Sequence, residues 1–355
     1  MDNYYNGASE LQGLNVNGWH ILESYKHKAT TGGNFSYGYE VINDEGQSGF
    51  LKALDYTDAF KRPDPALELH AMTEAYLFER RLLEECRNKR LKHVVRIIDS
   101  GKYTIPENRI PSGMVCLPID YLILEKADES VRDLIDLSTN LDYAWMLRSL
   151  HNVAVGIEEM HGIQMAHQDV KPSNVLVFGN SNISKLGDVG RSVSMNISAP
   201  HDQYSFSGDG GYSPLELLYG KIPTDWRIYR FSCDMYMFGN LITTYFANVS
   251  LTQQILLRLP RSARPGVWGD TYDDILPQIE QKFSECLEDI KPFIPEEFRS
   301  EMVSIIRQLC EPDIVQRGDV SRKHLGSPQY SLQKYISRLD YWAQKLENKI
   351  GRILS

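Results

Sequence analysis

The chain has 355 residues, of which 42% are hydrophobic and 24% charged, and its net charge is −9. That is ample chain for two lobes, each with its own core, and the acidic balance argues against a nucleic-acid surface. Five cysteines (Cys86, Cys116, Cys233, Cys286, Cys310) are scattered without paired spacing, the pattern of reduced thiols in a cytoplasmic compartment.

In chain order, residues 1–18 are polar, carry glycine and asparagine, and are expected to be a loose tail without the basic and apolar regions of a secretory signal. Thr31-Gly32-Gly33-Asn34-Phe35-Ser36-Tyr37-Gly38 lies between two predicted strands, where backbone N–H groups can turn toward phosphate. Phe50 to Leu54 is a short apolar strand with one central lysine, Lys52. A charge there is costly unless paired. Phe78 to Cys86 has apolar positions at helical spacing. Tyr121 to Leu124 reads as a buried strand, followed by Glu125-Lys126-Ala127 and the polar Asp128-Glu129-Ser130.

The second half carries the chemistry. His167-Gln168-Asp169-Val170-Lys171-Pro172-Ser173-Asn174 gathers an acid, a cation and an amide in one polar loop. Phosphoryl transfer from a nucleotide needs that set: a carboxylate for the attacking hydroxyl, a cation for the moving phosphoryl group, and an amide oxygen for Mg²⁺. Ile183 to Leu186 reads as a strand that turns sharply at Gly187-Asp188-Val189-Gly190. Met235 to Ala247 is the most apolar run, but Gly239, Asn240, Thr243 and Thr244 interrupt it. It is too short to cross a bilayer and reads as a buried central helix, so no membrane association is expected. Within Leu251 to Ser300, Tyr272 to Leu287 is helix-like and acidic. Last, Leu332, Tyr335, Ile336, Leu339, Trp342, Ala343, Leu346 and Ile350 form an apolar stripe at helical period. It can pack on the chain's own surface or serve a homodimer or partner protein.

The loop at 167–174 resembles the catalytic loop of eukaryotic-type protein kinases in the Asp-x-Lys form of the Ser/Thr class. Gly187-Asp188-Val189-Gly190 is similar to the kinase Asp-Phe-Gly element, with valine for phenylalanine. Gly208-Asp209-Gly210-Gly211-Tyr212-Ser213-Pro214-Leu215-Glu216 is similar to the segment closing an activation loop, and Cys233 to Gly239 to the start of the central helix. Several motifs in the right order make coincidence a poor explanation.

The resemblance implies an α+β, bilobal fold, with a small antiparallel β N-lobe with one helix and a larger, mainly α-helical C-lobe. Its boundaries would be a tail at 1–18, a nucleotide-binding lobe at 19–126, a catalytic lobe at 127–328 and an amphipathic helix at 329–355. It implies ATP- and Mg²⁺-dependent transfer (Mn²⁺ is a possible substitute) to Ser/Thr of protein substrates, with autophosphorylation. Asp169 would be the base and Lys171 the phosphoryl-stabilising cation, with Asn174 and Asp188 the metal ligands. Lys52, paired to Glu79 or in reserve Glu74, would hold the α/β-phosphates. Gly32, Gly33 and Ser36 would cover the nucleotide, although only Gly33 falls on a family glycine and Gly38 replaces an apolar adenine roof. Leu124 would guard the back pocket, Glu125 and Ala127 would bond adenine, and Ser130 the ribose. Glu216 would pair with Arg317, and Asp234 would accept backbone N–H bonds from the catalytic loop. Asp209 stands where Ser/Thr kinases carry threonine, and could pair with Lys171 or swing outward.

Leu251 to Ser300 exceeds the family plan by roughly twenty residues and is a second candidate partner surface. Gln168 replaces the arginine that recruits activation-loop phosphate in many kinases. Activity is therefore expected without phosphorylation of Ser192, Ser194, Ser198, Ser205 or Ser207. A kinase-shaped scaffold without turnover is the alternative that the irregular glycine-rich loop suggests. A small-molecule phosphotransferase is opposed by Lys171, the Glu216 segment and the Asp234 helix.

Overall fold

The computed structural model describes residues 4–25, 36–137, 142–180, 183–202, 204, 206–321 and 329–354. They fall into two compact units, the first of residues 1–90 and 95–128 and the second of residues 91–94 and 129–355.

The first unit contains β1 (Tyr4–Tyr5), β2 (Asn15–Val16), β3 (Trp19–Tyr25), β4 (Ser36–Asn43), β5 (Ser48–Leu54), α1 (Pro65–Asn88), β6 (Ile97–Tyr103), β7 (Val115–Cys116) and β8 (Ile119–Glu125). Six of the strands form one antiparallel sheet in the order β2-β3-β4-β5-β8-β6. Alternation along β5 buries Leu51 and Ala53 on one face, which turns Lys52 to the other. Helix α1 starts at an Asp64 cap, whose side chain accepts from Leu67 N at 3.1 Å, with Pro65 in the first turn.

The expected loose tail is not one. Leu11 and Val16 are fully buried in the core that holds Tyr39, Val41, Leu51 and Tyr121, and Tyr39 donates to the Ala8 carbonyl at 2.7 Å. β1 pairs in parallel with β7, and Tyr4 stacks on Phe60 at 3.5 Å between ring centroids. Four apolar residues spread among glycines and asparagines show no period, yet each finds a place against the sheet.

The second unit contains β9 (Glu129–Ser130), α2 (Val131–Leu137), α3 (Tyr143–Gly162), β10 (Met165–Ala166), β11 (Val175–Phe178), β12 (Ile183–Leu186), β13 (Val193–Ser194), α4 (Leu215–Leu218), α5 (Trp226–Ala247), α6 (Leu251–Arg258), α7 (Tyr272–Ile290), α8 (Arg299–Leu309) and α9 (Gln333–Leu354). α5 is buried along most of its length, as the apolar run predicts, between an Asp225 cap and a left-handed Asn248. At Gly239 an added Cβ would meet Cys310 Sγ at 2.4 Å and Leu309 Cβ at 2.7 Å, so glycine lets α8 lie against α5.

The C-terminal stripe packs on the chain itself. Leu332, Tyr335, Leu339, Trp342 and Ala343 are buried, and α9 lies along α3. Arg148 on α3 bonds Asp340 at 2.7 Å and Glu347 at 2.9 Å, and Glu301 on α8 receives Arg338 and Trp342. Ile336 and Leu346 of the same stripe are partly buried, and the Ile350 side chain lies outside the described residues. In the 251–300 region, α7 likewise turns Ile275, Ile279, Phe283 and Leu287 inward and starts from a Thr271/Asp274 capping box.

Candidate active site

In the first unit, Lys52 Nζ lies 2.8 Å and 2.9 Å from the two oxygens of Glu79. Glu74 is exposed, so the pairing goes to the first of the two glutamates considered. Gly32 and Gly33 lie outside the described residues, whereas Ser36 opens β4 opposite Leu54. Gly38 is explained by its neighbour across the sheet: a Cβ there would sit 2.7 Å from the Phe50 ring. The aromatic that fills this space comes from β5, with Tyr25 tilted against it at 5.5 Å. Leu124 is buried at the end of β8. The Glu125 N–H is committed to the Arg96 carbonyl at 2.9 Å, so it is no donor for a ligand. Ala127 is half-buried.

Ser130 belongs to the second unit and has a structural task. Its hydroxyl donates to Asp133 Oδ2 at 2.8 Å and accepts from Asp133 N at 3.2 Å, bracing the first turn of α2.

The loop after β10 is built around one buried acid, Asp234 of α5. Asp234 accepts from the backbone N–H of His167 at 2.8 Å and of Gln168 at 2.7 Å, and bonds His161 Nε2 at 2.9 Å. Burial alone would raise its pKa, but the His161 hydrogen bond and the nearby His167 and Gln168 N–H hold it below the usual 3.8. Its stabilising contribution is therefore present above pH 3.8 and is lost only as pH falls through the lower folded value. His167 Nε2 donates to the Gly187 carbonyl at 3.0 Å, which leaves Nδ1 to accept from Asp169 N at 3.3 Å.

Asp169 is 4% exposed. Its Oδ2 receives Lys171 Nζ at 3.0 Å and Asn174 Nδ2 at 2.8 Å, and its Oδ1 receives the Asp209 N–H at 2.8 Å. Asp209 takes the inward of its two possible positions, with its own carboxylate 3.6 Å from Lys171. Burial pulls the Lys171 pKa down, but Asp169 first, then Asp209 and Asp188, raise it above its ordinary value, so it is a firm cation. Gly187 N donates to the Asn174 carbonyl at 2.8 Å, tying the strand before Asp188 to the loop, and Asp188 itself is left-handed at φ 50°. Asn174 turns its NH₂ to Asp169, which leaves its side-chain Oδ1 on the other side, where it accepts from the Ser173 hydroxyl at 3.4 Å.

Gly208 holds the close approach of the next segment. A Cβ there would stand 2.1 Å from the Gln168 carbonyl and 3.2 Å from Asp169 Oδ1. Because the nearer obstacle is backbone, Gly208→Ala must displace the loop. Its kcat should fall by roughly 10- to 100-fold, since a misplacement near 1 Å can cost that much. Steady-state kinetics on protein with unchanged circular dichroism would check this.

Farther along, Glu216 and Arg317 form a two-bond pair at 2.6 Å and 2.8 Å, with both side chains buried. Of the serines considered for phosphorylation, Ser192 is fully buried with its hydroxyl on the His167 carbonyl, and Ser194 is buried as well. Ser198 is bonded to Asp202, Ser207 to the Arg191 carbonyl, and Ser205 lies outside the described residues. A cavity of about 310 Å³ opens beside Lys171, lined by Arg132, Ser173, Asp209, Tyr212 and Gln253. His161 and Arg230 were missed in the sequence. His161 stands in the last turn of α3, just before the loop, whereas Arg230 on α5 is 62 residues beyond Gln168, and the fold turns both side chains to the loop.

The protein kinase domain profile matches residues 31–324. The chain belongs to the protein kinase family. Cyclin-dependent kinase-like 2 of Homo sapiens is 30% identical over 172 residues, 47% of this chain and 33% of that protein. The mouse protein of the same name is 28% identical over 232 residues, 61% of this chain and 40% of that protein. The serine/threonine-protein kinase/endoribonuclease IRE1 of Oryza sativa subsp. japonica is 24% identical over 215 residues, 54% of this chain and 21% of that protein. The kinase chain thus spans well under half the length of these relatives. Among its described residues no helix is long and apolar enough to cross a membrane.

Proposed function

We propose that this kinase transfers the γ-phosphoryl group of ATP to Ser or Thr hydroxyls of protein substrates, with autophosphorylation as a secondary reaction. The observation that carries it is Asp169, whose carboxylate is fixed by Lys171, Asn174 and the Asp209 N–H. A carboxylate so held is positioned to orient a hydroxyl and take its proton as oxygen attacks the γ-phosphorus and the bond to the β-phosphate oxygen breaks. Lys171 would stabilise charge on the transferring group. Lys52, kept in place by Glu79, would bind the α/β-phosphates.

The side-chain Oδ1 of Asn174 and the Asp188 carboxylate are hard oxygen donors that would suit Mg²⁺ or Mn²⁺. When bound there, the metal supplies charge neutralisation on the phosphate oxygens. The cavity beside Lys171 and Asp209 would receive a residue flanking the acceptor. Leu124, the Glu125 carbonyl and Ala127 are proposed for adenine. The expected compartment, the cytoplasm, rests on the cysteine pattern alone.

Phosphoamino-acid analysis of a labelled protein substrate tests the class. Phosphoserine and phosphothreonine are expected, and predominant phosphotyrosine would overturn it. Lys52→Met should lower kcat/KM for ATP by about 100-fold or more, because preorganised charge supplies much of the catalysis. Near-wild-type kinetics would remove Lys52 from the assignment.

A further inference from the structure

Gln168, directly before Asp169, is fully buried and bonded at both ends of its amide. Nε2 donates to the Arg230 carbonyl and to Asp234 Oδ1, both at 2.9 Å, and Oε1 accepts from Arg230 Nη1 at 3.2 Å. Both N–H donors and the oxygen of the amide are thereby engaged. The residue has φ 62°, a left-handed conformation that a side chain with Cβ adopts only when its surroundings impose it.

Arg230 is 6% exposed, and its guanidinium carbon lies 3.9 Å from the centre of the Tyr229 ring. Its Nε is buried without a hydrogen-bond partner. A buried guanidinium with an unmet N–H is a poor device for stability alone. What it does provide is a fixed donor and a fixed acceptor for the catalytic loop.

We infer that Gln168 and Arg230 form a clamp that holds the Asp169 loop in its working conformation without phosphate on the segment between Asp188 and Glu216. The inference rests on the kinase reading above. An arginine at position 168 would present a charge for phosphate to answer. Gln168 is neutral and fully bonded within the chain, so the brace is present whatever the state of that segment. The segment adds its own unmodified contact, from the Ser192 hydroxyl to the His167 carbonyl at 3.2 Å. Gln168 and Arg230 act through Asp234 and the loop backbone, and are positioning residues.

The test compares the full chain with Gln168→Met, Arg230→Met and the double variant, by amide hydrogen exchange over residues 165–169 and by steady-state kinetics. Each single variant should exchange the His167 and Gln168 amides roughly tenfold faster or more, because these N–H groups report loop opening. In each, kcat should fall about tenfold or more while KM for ATP changes less than about twofold. The double variant should be no worse than the worse single one, since both remove the same clamp. Phosphatase-treated wild type should start without a lag. Unchanged exchange in both variants, additive losses, a parallel rise in KM, or a lag removed by pre-incubation with ATP would overturn the clamp. If Gln168→Met does not fold, Arg230→Met decides by the same exchange measurement. If wild type transfers no phosphate, the kinase reading fails, and exchange still decides the clamp.

Discussion

Asp169→Asn should lower kcat by roughly 1,000-fold, the combined scale of losing a general base and a fixed charge. The structure says why the amide is no substitute. Asp169 accepts from three donors: Lys171 Nζ, Asn174 Nδ2 and the Asp209 N–H. Asparagine offers one acceptor oxygen, so its NH₂ must face either Asn174 Nδ2 or the Asp209 N–H, donor against donor. The unmet group costs about 1–3 kcal/mol, too little to unfold the lobe. Turnover should therefore collapse while far-ultraviolet circular dichroism stays as in wild type. Stopped-time assays at saturating ATP would check this, and a loss below about tenfold would remove Asp169 as the base.

The second large effect is on stability. Glu216→Gln leaves the Arg317 guanidinium buried opposite a neutral amide, and Arg317→Met leaves the carboxylate of Glu216 alone. Breaking a buried pair in this way costs about 3–5 kcal/mol. For a unit of this size that is a fall in Tm of about 10 °C. Arg317 also donates to the Glu311 carbonyl at 2.9 Å and lies 5.0 Å from the Tyr236 ring, so the methionine variant loses more than the ion pair. Replacing both partners, as Glu216→Leu with Arg317→Met, should recover part of the loss, because no charge is then left unpaired. Urea denaturation of the three variants would show it. A single variant within about 1 kcal/mol of wild type would contradict the assigned burial.

Much of the site was legible because its parts are local. The acid, lysine and asparagine of 169–174 fall in one loop, and Lys52 stands alone in an apolar strand, where a charge needs a partner. Glu216 and Arg317 are 101 residues apart, and their pairing followed from the family pattern rather than from any local signal. Other features depend on tertiary packing. The apolar residues of 8–16 lack a period, so nothing local marks them as core. Ser192 and Ser194 look like loop serines but are buried. Ser130 sits at a helix start, where its hydroxyl is drawn to Asp133. The Gly38 and Phe50 pair reads as a missing roof until β4 and β5 are set side by side, when the ring is seen to fill the glycine's place. Gln168 reads as a lost charge in the sequence, whereas its amide is bonded on both sides.

The most direct measurement is a transfer assay with γ-labelled ATP, Mg²⁺ and a generic protein substrate, run on wild type beside Asp169→Asn. Label is expected in the substrate with wild type and nearly none with the variant, both proteins binding nucleotide. Nucleotide binding without transfer by wild type, or equal label with both proteins, would contradict it.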